Sequence, residues 1–130
     1  MRGFQLTHRA FPFRGDNKGF SMIELMVVLI IAAVLLSIAI GVLLDLRQRS
    51  YVATVKSDLA SAFEAALDFH THNPSATVTL DDLRDHGFRE SLNVTTTVVD
   101  GNLETLKITA THLAMRGVYQ IDENGHVSKQ

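Results

Sequence analysis

Residues 19–44 read GFSMIELMVVLIIAAVLLSIAIGVLL, and the last twenty of them, Leu25–Leu44, contain no charged side chain. At about 1.5 Å per helical residue such a run spans roughly 30 Å, the thickness of a bilayer's hydrocarbon core. A secretory signal carries a shorter apolar stretch, about 7–15 residues, followed by a small-residue cut site. Ser37-Ile38-Ala39 imitates such a site, so a cleaved signal peptide and a plain single-pass anchor both compete for the segment on hydropathy alone. Glu24 distinguishes it from either. An acid at the centre of a membrane helix costs about 2.5–3.5 kcal/mol on insertion scales, and less near the interface. Glu24 stands where Leu or Val would serve an anchor better, so it either ends the segment in the headgroup layer or has a task there.

Working outward, the charge balance divides the chain. Residues 1–19 hold Arg2, Arg9, Arg14 and Lys18 against Asp16, a net of +3, while residues 20–130 hold eight Lys/Arg against thirteen Asp/Glu, a net of −5. Basic residues before an apolar run favour a cytoplasmic N-terminus, although Arg47 and Arg49 follow it. The acidic body offers no basic patch, which argues against nucleic acid as a main partner. The chain has no cysteine and hence no disulfide.

The stretch Lys18-Gly19-Phe20-Ser21-Met22-Ile23-Glu24-Leu25-Met26-Val27-Val28 resembles the processing motif of type IV pilins and of the pseudopilins of type II secretion. The resemblance implies a leader, 1–19, removed by a prepilin peptidase that cuts after Gly19. It implies N-methylation of Phe20, the new first residue. Glu24 then becomes the assembly residue, its carboxylate neutralising the freed amine of a neighbouring subunit. Unpaired buried charge is strongly destabilising, and pairing across subunits removes that penalty only in a staggered array. Further implied partners are other copies of the chain and related pilins, an assembly ATPase, a membrane platform protein and, before assembly, inner-membrane lipid. The expected destination is a surface pilus or a periplasmic filament. Two features depart from many members: the leader is long, and Gly41, preceded by Ser37, stands where a mid-helix proline is common. Glycine costs only about 1 kcal/mol in a helix interior against about 3 for proline, so any unwinding there is expected to be milder.

Beyond the apolar run, Val52, Val55, Leu59, Ala62, Ala66 and Phe69 recur at steps of three and four. They form one stripe, widened by Phe63 and Leu67, with Lys56, Asp58, Glu64 and Asp68 outside it. The pattern predicts a helix from about Ser21 to His70, stopped by Asn73-Pro74. Its first half, through residue 50, is the membrane or filament-core segment, and residues 51–130 form the head. Thr79 with Asp82 reads as an acidic capping box, Gly87 closes the short helix, and Phe88 folds back onto Leu83. Period-two alternation then predicts strands over Val94–Val99, Leu106–His112, Val118–Ile121 and His126–Ser128, with Asp100-Gly101 as a hairpin signal. The fold class is α+β: a long N-terminal helix, transmembrane then amphipathic, packed on a small antiparallel β-meander.

Other groups have plain structural readings. His70 and His72 lie two apart and do not share a helix face, so they suit the negative end of the helix dipole better than a metal. Asp122, Glu123 and Asn124 could serve calcium but read as a turn. Of the aromatic residues, Tyr51 alone is placed to lie between subunits. No nucleophile-base pair, phosphate loop or metal quartet is present, so no cofactor, metal or catalytic residue is expected. Three functions stay open: a pilus subunit, a type II secretion pseudopilin, and a monomeric binding domain on an anchor.

Overall fold

The computed structural model describes Gly3 and residues 19–130. The elements run α1 (Met22–His72), α2 (Leu80–Asp85), β1 (Val94–Asp100), β2 (Lys107–His112), β3 (Tyr119–Ile121) and β4 (Val127–Lys129). Contacts divide the chain into two units, Met1–Ile38 and Ala39–Gln130. In the first unit α1 is apolar all round and none of its side chains is buried. This helix is long and apolar enough to cross a membrane.

The second unit is an α+β head. Its four strands form one antiparallel sheet in the order β1-β2-β3-β4, a simple meander. The core joins Val55, Leu59, Ala62, Ala66 and Phe69 of α1 to Leu83 of α2, to Phe88 just after it, and to Val94, Ile108, Ala110 and Ile121 of the sheet. The three-four periodicity of α1 therefore buries its stripe, as the sequence predicts. The stripe is shifted by one edge. Leu67 is 41 % exposed, whereas Asp58 is 5 % exposed. Asp58 lies inside because its carboxylate has partners: Ser91 donates its backbone N–H at 2.7 Å and its hydroxyl at 2.6 Å. These bonds tie the loop before β1 to the helix. Replacing Asp58 by Ala leaves both half-buried donors of Ser91 without their partner and is expected to cost about 2–3 kcal/mol. Thermal unfolding of the detergent-solubilised protein checks this, and an unchanged midpoint would contradict it.

His70 also departs from expectation. It is buried against Phe69, ring centroids 5.4 Å apart, and neither ring nitrogen has a hydrogen-bond partner among the described residues. Two residues to either side, on the opposite face, the helix is wetter. Asp68 meets His86 Nδ1 at 2.6 Å, and His72 Nδ1 donates to the Asp68 carbonyl.

The α2 signals are made in full. Thr79 N–H reaches Asp82 Oδ2 at 2.8 Å, and Asp82 N–H reaches Thr79 Oγ1 at 3.4 Å, a reciprocal capping box. At the other end Gly87 adopts φ +93°, Phe88 N–H returns to the Leu83 carbonyl and Gly87 N–H to that of Arg84. That is a Schellman closure, and its C3–C″ pair, Leu83 and Phe88, is buried.

The β1–β2 connection begins at the Asp100-Gly101 hairpin signal and is longer than a tight turn. It runs over residues 101–106, organised by Asp100, whose carboxylate accepts from Asn102 N–H at 3.0 Å and from the Thr105 hydroxyl at 2.9 Å. Gly101 is required for another reason. Its carbonyl accepts from Val78 N–H at 2.9 Å, and a Cβ would collide with the Val78 carbonyl and come within 2.8 Å of Thr77 Cγ2. The nearest obstacle is the Val78 backbone, which cannot swing aside as a side chain can, so Gly101→Ala is expected to destabilise the head by about 2–3 kcal/mol, the upper range of overpacking. A urea midpoint equal to that of the native chain would refute the expectation.

Three carboxylates are held below the ordinary range by donors: Asp68 by His86, Asp82 by the Thr79 hydroxyl and N–H, and Asp100 by Asn102 N–H and Thr105. A carboxyl with a depressed folded value contributes stability above its unfolded value, about 3.9, and loses it as pH falls through the folded value. The unfolding midpoint is therefore expected to be flat near neutrality and to fall below about pH 4. All three groups are solvated, so the decline is shallow.

Candidate functional site at the helix N-terminus

Gly19, Phe20 and Ser21 precede α1 without regular structure. Ser21 is the cap. Its Oγ accepts Glu24 N–H at 3.2 Å, and its carbonyl accepts Leu25 N–H at 3.1 Å. Glu24 therefore occupies the third helical position, in the first turn of α1. Ser-x-x-Glu is a capping-box spelling that the reading of Glu24 as a membrane anomaly passed over. An acid in the first turn also complements the helix dipole, by about 0.3–1 kcal/mol. That is smaller than the cost of an acid at mid-membrane, so capping explains where the helix starts better than why an acid tolerates apolar neighbours.

The surroundings of Glu24 are apolar and open. Phe20 is 81 % exposed, and Met22, Ile23, Leu25 and Met26 all stand out from the helix. Gly19 is exposed, and no described heavy atom lies within 4 Å of a Cβ built on it. Its backbone does not lie in the left-handed region, which only Gly87, Gly117 and Gly125 occupy among the described glycines. Among the described residues, neither packing nor backbone conformation demands a glycine at 19.

A sequence model, described as the prokaryotic N-terminal methylation motif, matches residues 14–40. The chain carries the type IV pilin and pseudopilin signature. The matched stretch holds Gly19, Phe20, Ser21 and Glu24 and most of the apolar run; residues 41–130 lie outside it. No curated protein matches the chain. The signature is that of prepilin peptidase substrates with a transmembrane helix, structural proteins that assemble into filaments.

The remaining candidates fall into place around the pilin motif. Among the described residues no group of three His, Cys, Asp or Glu is arranged to hold a metal. Asp122 Oδ1 accepts from Asn124 N–H at 3.0 Å and from His126 N–H at 2.8 Å, and Gly125 turns with φ +77°. Its oxygen is engaged in a β3–β4 turn. Tyr51 stacks on His112 of its own chain, ring centroids 4.3 Å apart and 15° from parallel.

Proposed function

We propose that this chain is a structural subunit of a type IV pilus. A prepilin peptidase removes residues 1–19, Phe20 is N-methylated, and the Glu24 carboxylate of one subunit pairs with the Phe20 amine of its neighbour. The observation that carries the reading is the conjunction at the start of α1. A glycine that nothing in the described fold requires precedes an acid in the first turn of an apolar helix. A glycine without an internal reason fits an external one, the narrow cleft of a peptidase. An acid exposed beside apolar side chains fits a cation delivered from outside the chain.

Function is then mechanical. The apolar helices pack side by side in the filament, the α+β heads cover the outside, and the bilayer stores subunits. The work of extraction comes from an assembly ATPase acting through a membrane platform protein. A second reading, a pseudopilin of type II secretion, is favoured by the lack of cysteine, since many pilins close a C-terminal loop with a disulfide. The turn bonding of Asp122 argues against the calcium-loop form of that reading.

Mass spectrometry of protein from the native membrane tests the processing step. A mature N-terminus at methylated Phe20 supports it, and a chain retaining residues 1–19, or one beginning at Ile40, ends it. Imaging sheared surface material with an antibody to the head then separates pilus from periplasmic filament.

A further inference from the structure

The head has two leucines that its core does not use. Leu92 is 86 % and Leu113 is 85 % exposed, the two most exposed large apolar residues of the second unit. They sit together. Leu113 N–H donates to the Asn93 carbonyl at 2.9 Å, closing the open end of the β1–β2 pair just beyond the Val94–His112 rung. Asn93 holds the left-handed conformation, φ 63°, that turns the chain there.

The fold fixes which end this is. The β1–β2 connection lies by the end of α1, where Gly101 bonds Val78 and Asn102 bonds Thr77. The leucine end lies at Tyr51, whose ring stacks on His112. Along α1, Tyr51 is seven residues past Leu44, the last residue of the uncharged run, or about 10 Å. With that run filling a hydrocarbon core about 30 Å thick, Tyr51 and the leucines stand at headgroup level. The same rim is basic. Arg47 and Arg49 of α1 and Arg116 of the β2–β3 loop are all exposed, against Asp45, which pairs with Arg49 at 2.9 Å.

We propose that Leu92 and Leu113, together with Arg47, Arg49 and Arg116, seat the folded head on the surface of an anionic phospholipid bilayer while α1 holds the subunit in the membrane. Apolar side chains at the acyl boundary with cations at the phosphates are the two ingredients of interfacial binding. Docking would set the tilt of the stored subunit and must be released when it leaves for a filament. The inference rests on the reading of Leu25–Leu44 as a membrane span.

The chain lacks cysteine, so a single nitroxide on Ala114→Cys, an exposed position beside Leu113, reports without background. In phosphatidylglycerol vesicles the label is expected to collide with oxygen in preference to an aqueous nickel chelate. A label on Leu103→Cys, at the opposite end of the strands, is expected to show the reverse. Replacing Leu92 and Leu113 by Gln should shift the docked population about tenfold per leucine toward water. Arg116→Gln should weaken docking on phosphatidylglycerol and leave it unchanged on phosphatidylcholine. A label on Val34→Cys separates the two readings. If Val34 is deep in lipid while Ala114 meets only the nickel chelate, the docking inference fails and the anchor stands. If both are aqueous, both fail. If the lipid preference at Ala114 disappears when the protein is diluted into more lipid, a second copy covers the leucines, and the bilayer does not.

Discussion

Glu24→Val is expected to leave the subunit in the membrane and to abolish filaments. The two halves of this result have opposite energetic signs, which is what makes it diagnostic. Valine removes the cost of an acid near hydrocarbon, so insertion is as good as before or better. In the filament the same change removes the partner of a buried cationic amine, and breaking a buried pair from one side costs about 3–5 kcal/mol. At 1.4 kcal/mol per decade that is roughly two to four orders of magnitude in subunit affinity at each contact. A polymer compounds the loss over every subunit. Sheared pili, measured by immunoblot against the membrane pool, should therefore vanish while the pool is unchanged. Glu24→Gln keeps the Ser21 cap and the shape but not the charge, and should fall between. Filaments of normal length and yield from Glu24→Val would show that the acid serves only the helix start.

The local parts of this molecule are legible in its residues, and the long-range parts are not. The cap of α2, its Gly87 closure and the Phe88–Leu83 contact all depend on neighbours within a few positions, and the sequence spells them. The meander follows from period-two alternation. Asp58 could not be placed the same way. Its pattern position is on the wet side of the stripe, and only Ser91, thirty-three residues on, makes its burial tolerable. Gly101 announces a turn, yet the glycine serves a close approach to Val78, which no local pattern encodes. At the functional end the residues of the motif were readable, since an acid in an apolar run is conspicuous. Ser21 was readable too, three positions before Glu24, but the spelling of a capping box is hidden when the eye takes the glutamate for a membrane anomaly. Tyr51 illustrates the converse: an exposed position on a helix drawing becomes a stacked one once His112 arrives from the sheet.

Gly19→Val is expected to stop processing, and for a reason independent of folding. Nothing among the described residues approaches a Cβ at this position, so the substitution leaves the head and α1 intact. Its effect falls on the peptidase, whose cleft must admit the backbone closely at the scissile bond, where only glycine lacks a side chain. The uncut product keeps residues 1–19, with a net charge of +3. Two consequences follow for assembly. The Phe20 nitrogen stays an amide, so Glu24 has no amine to neutralise. The basic leader would also have to enter the packed helices, where each unpaired charge is costly. Pili should therefore be absent, and intact mass spectrometry should find only the unprocessed, unmethylated chain in the membrane. Gly19→Ala adds a single methyl group, so partial cleavage is expected, with pili in proportion to the cut fraction. That proportionality separates a processing defect from an assembly defect, because Glu24→Val should be fully cut and methylated yet unassembled. Were Gly19→Val cut normally, the glycine would have no external reader, and the peptidase reading of this site would be lost.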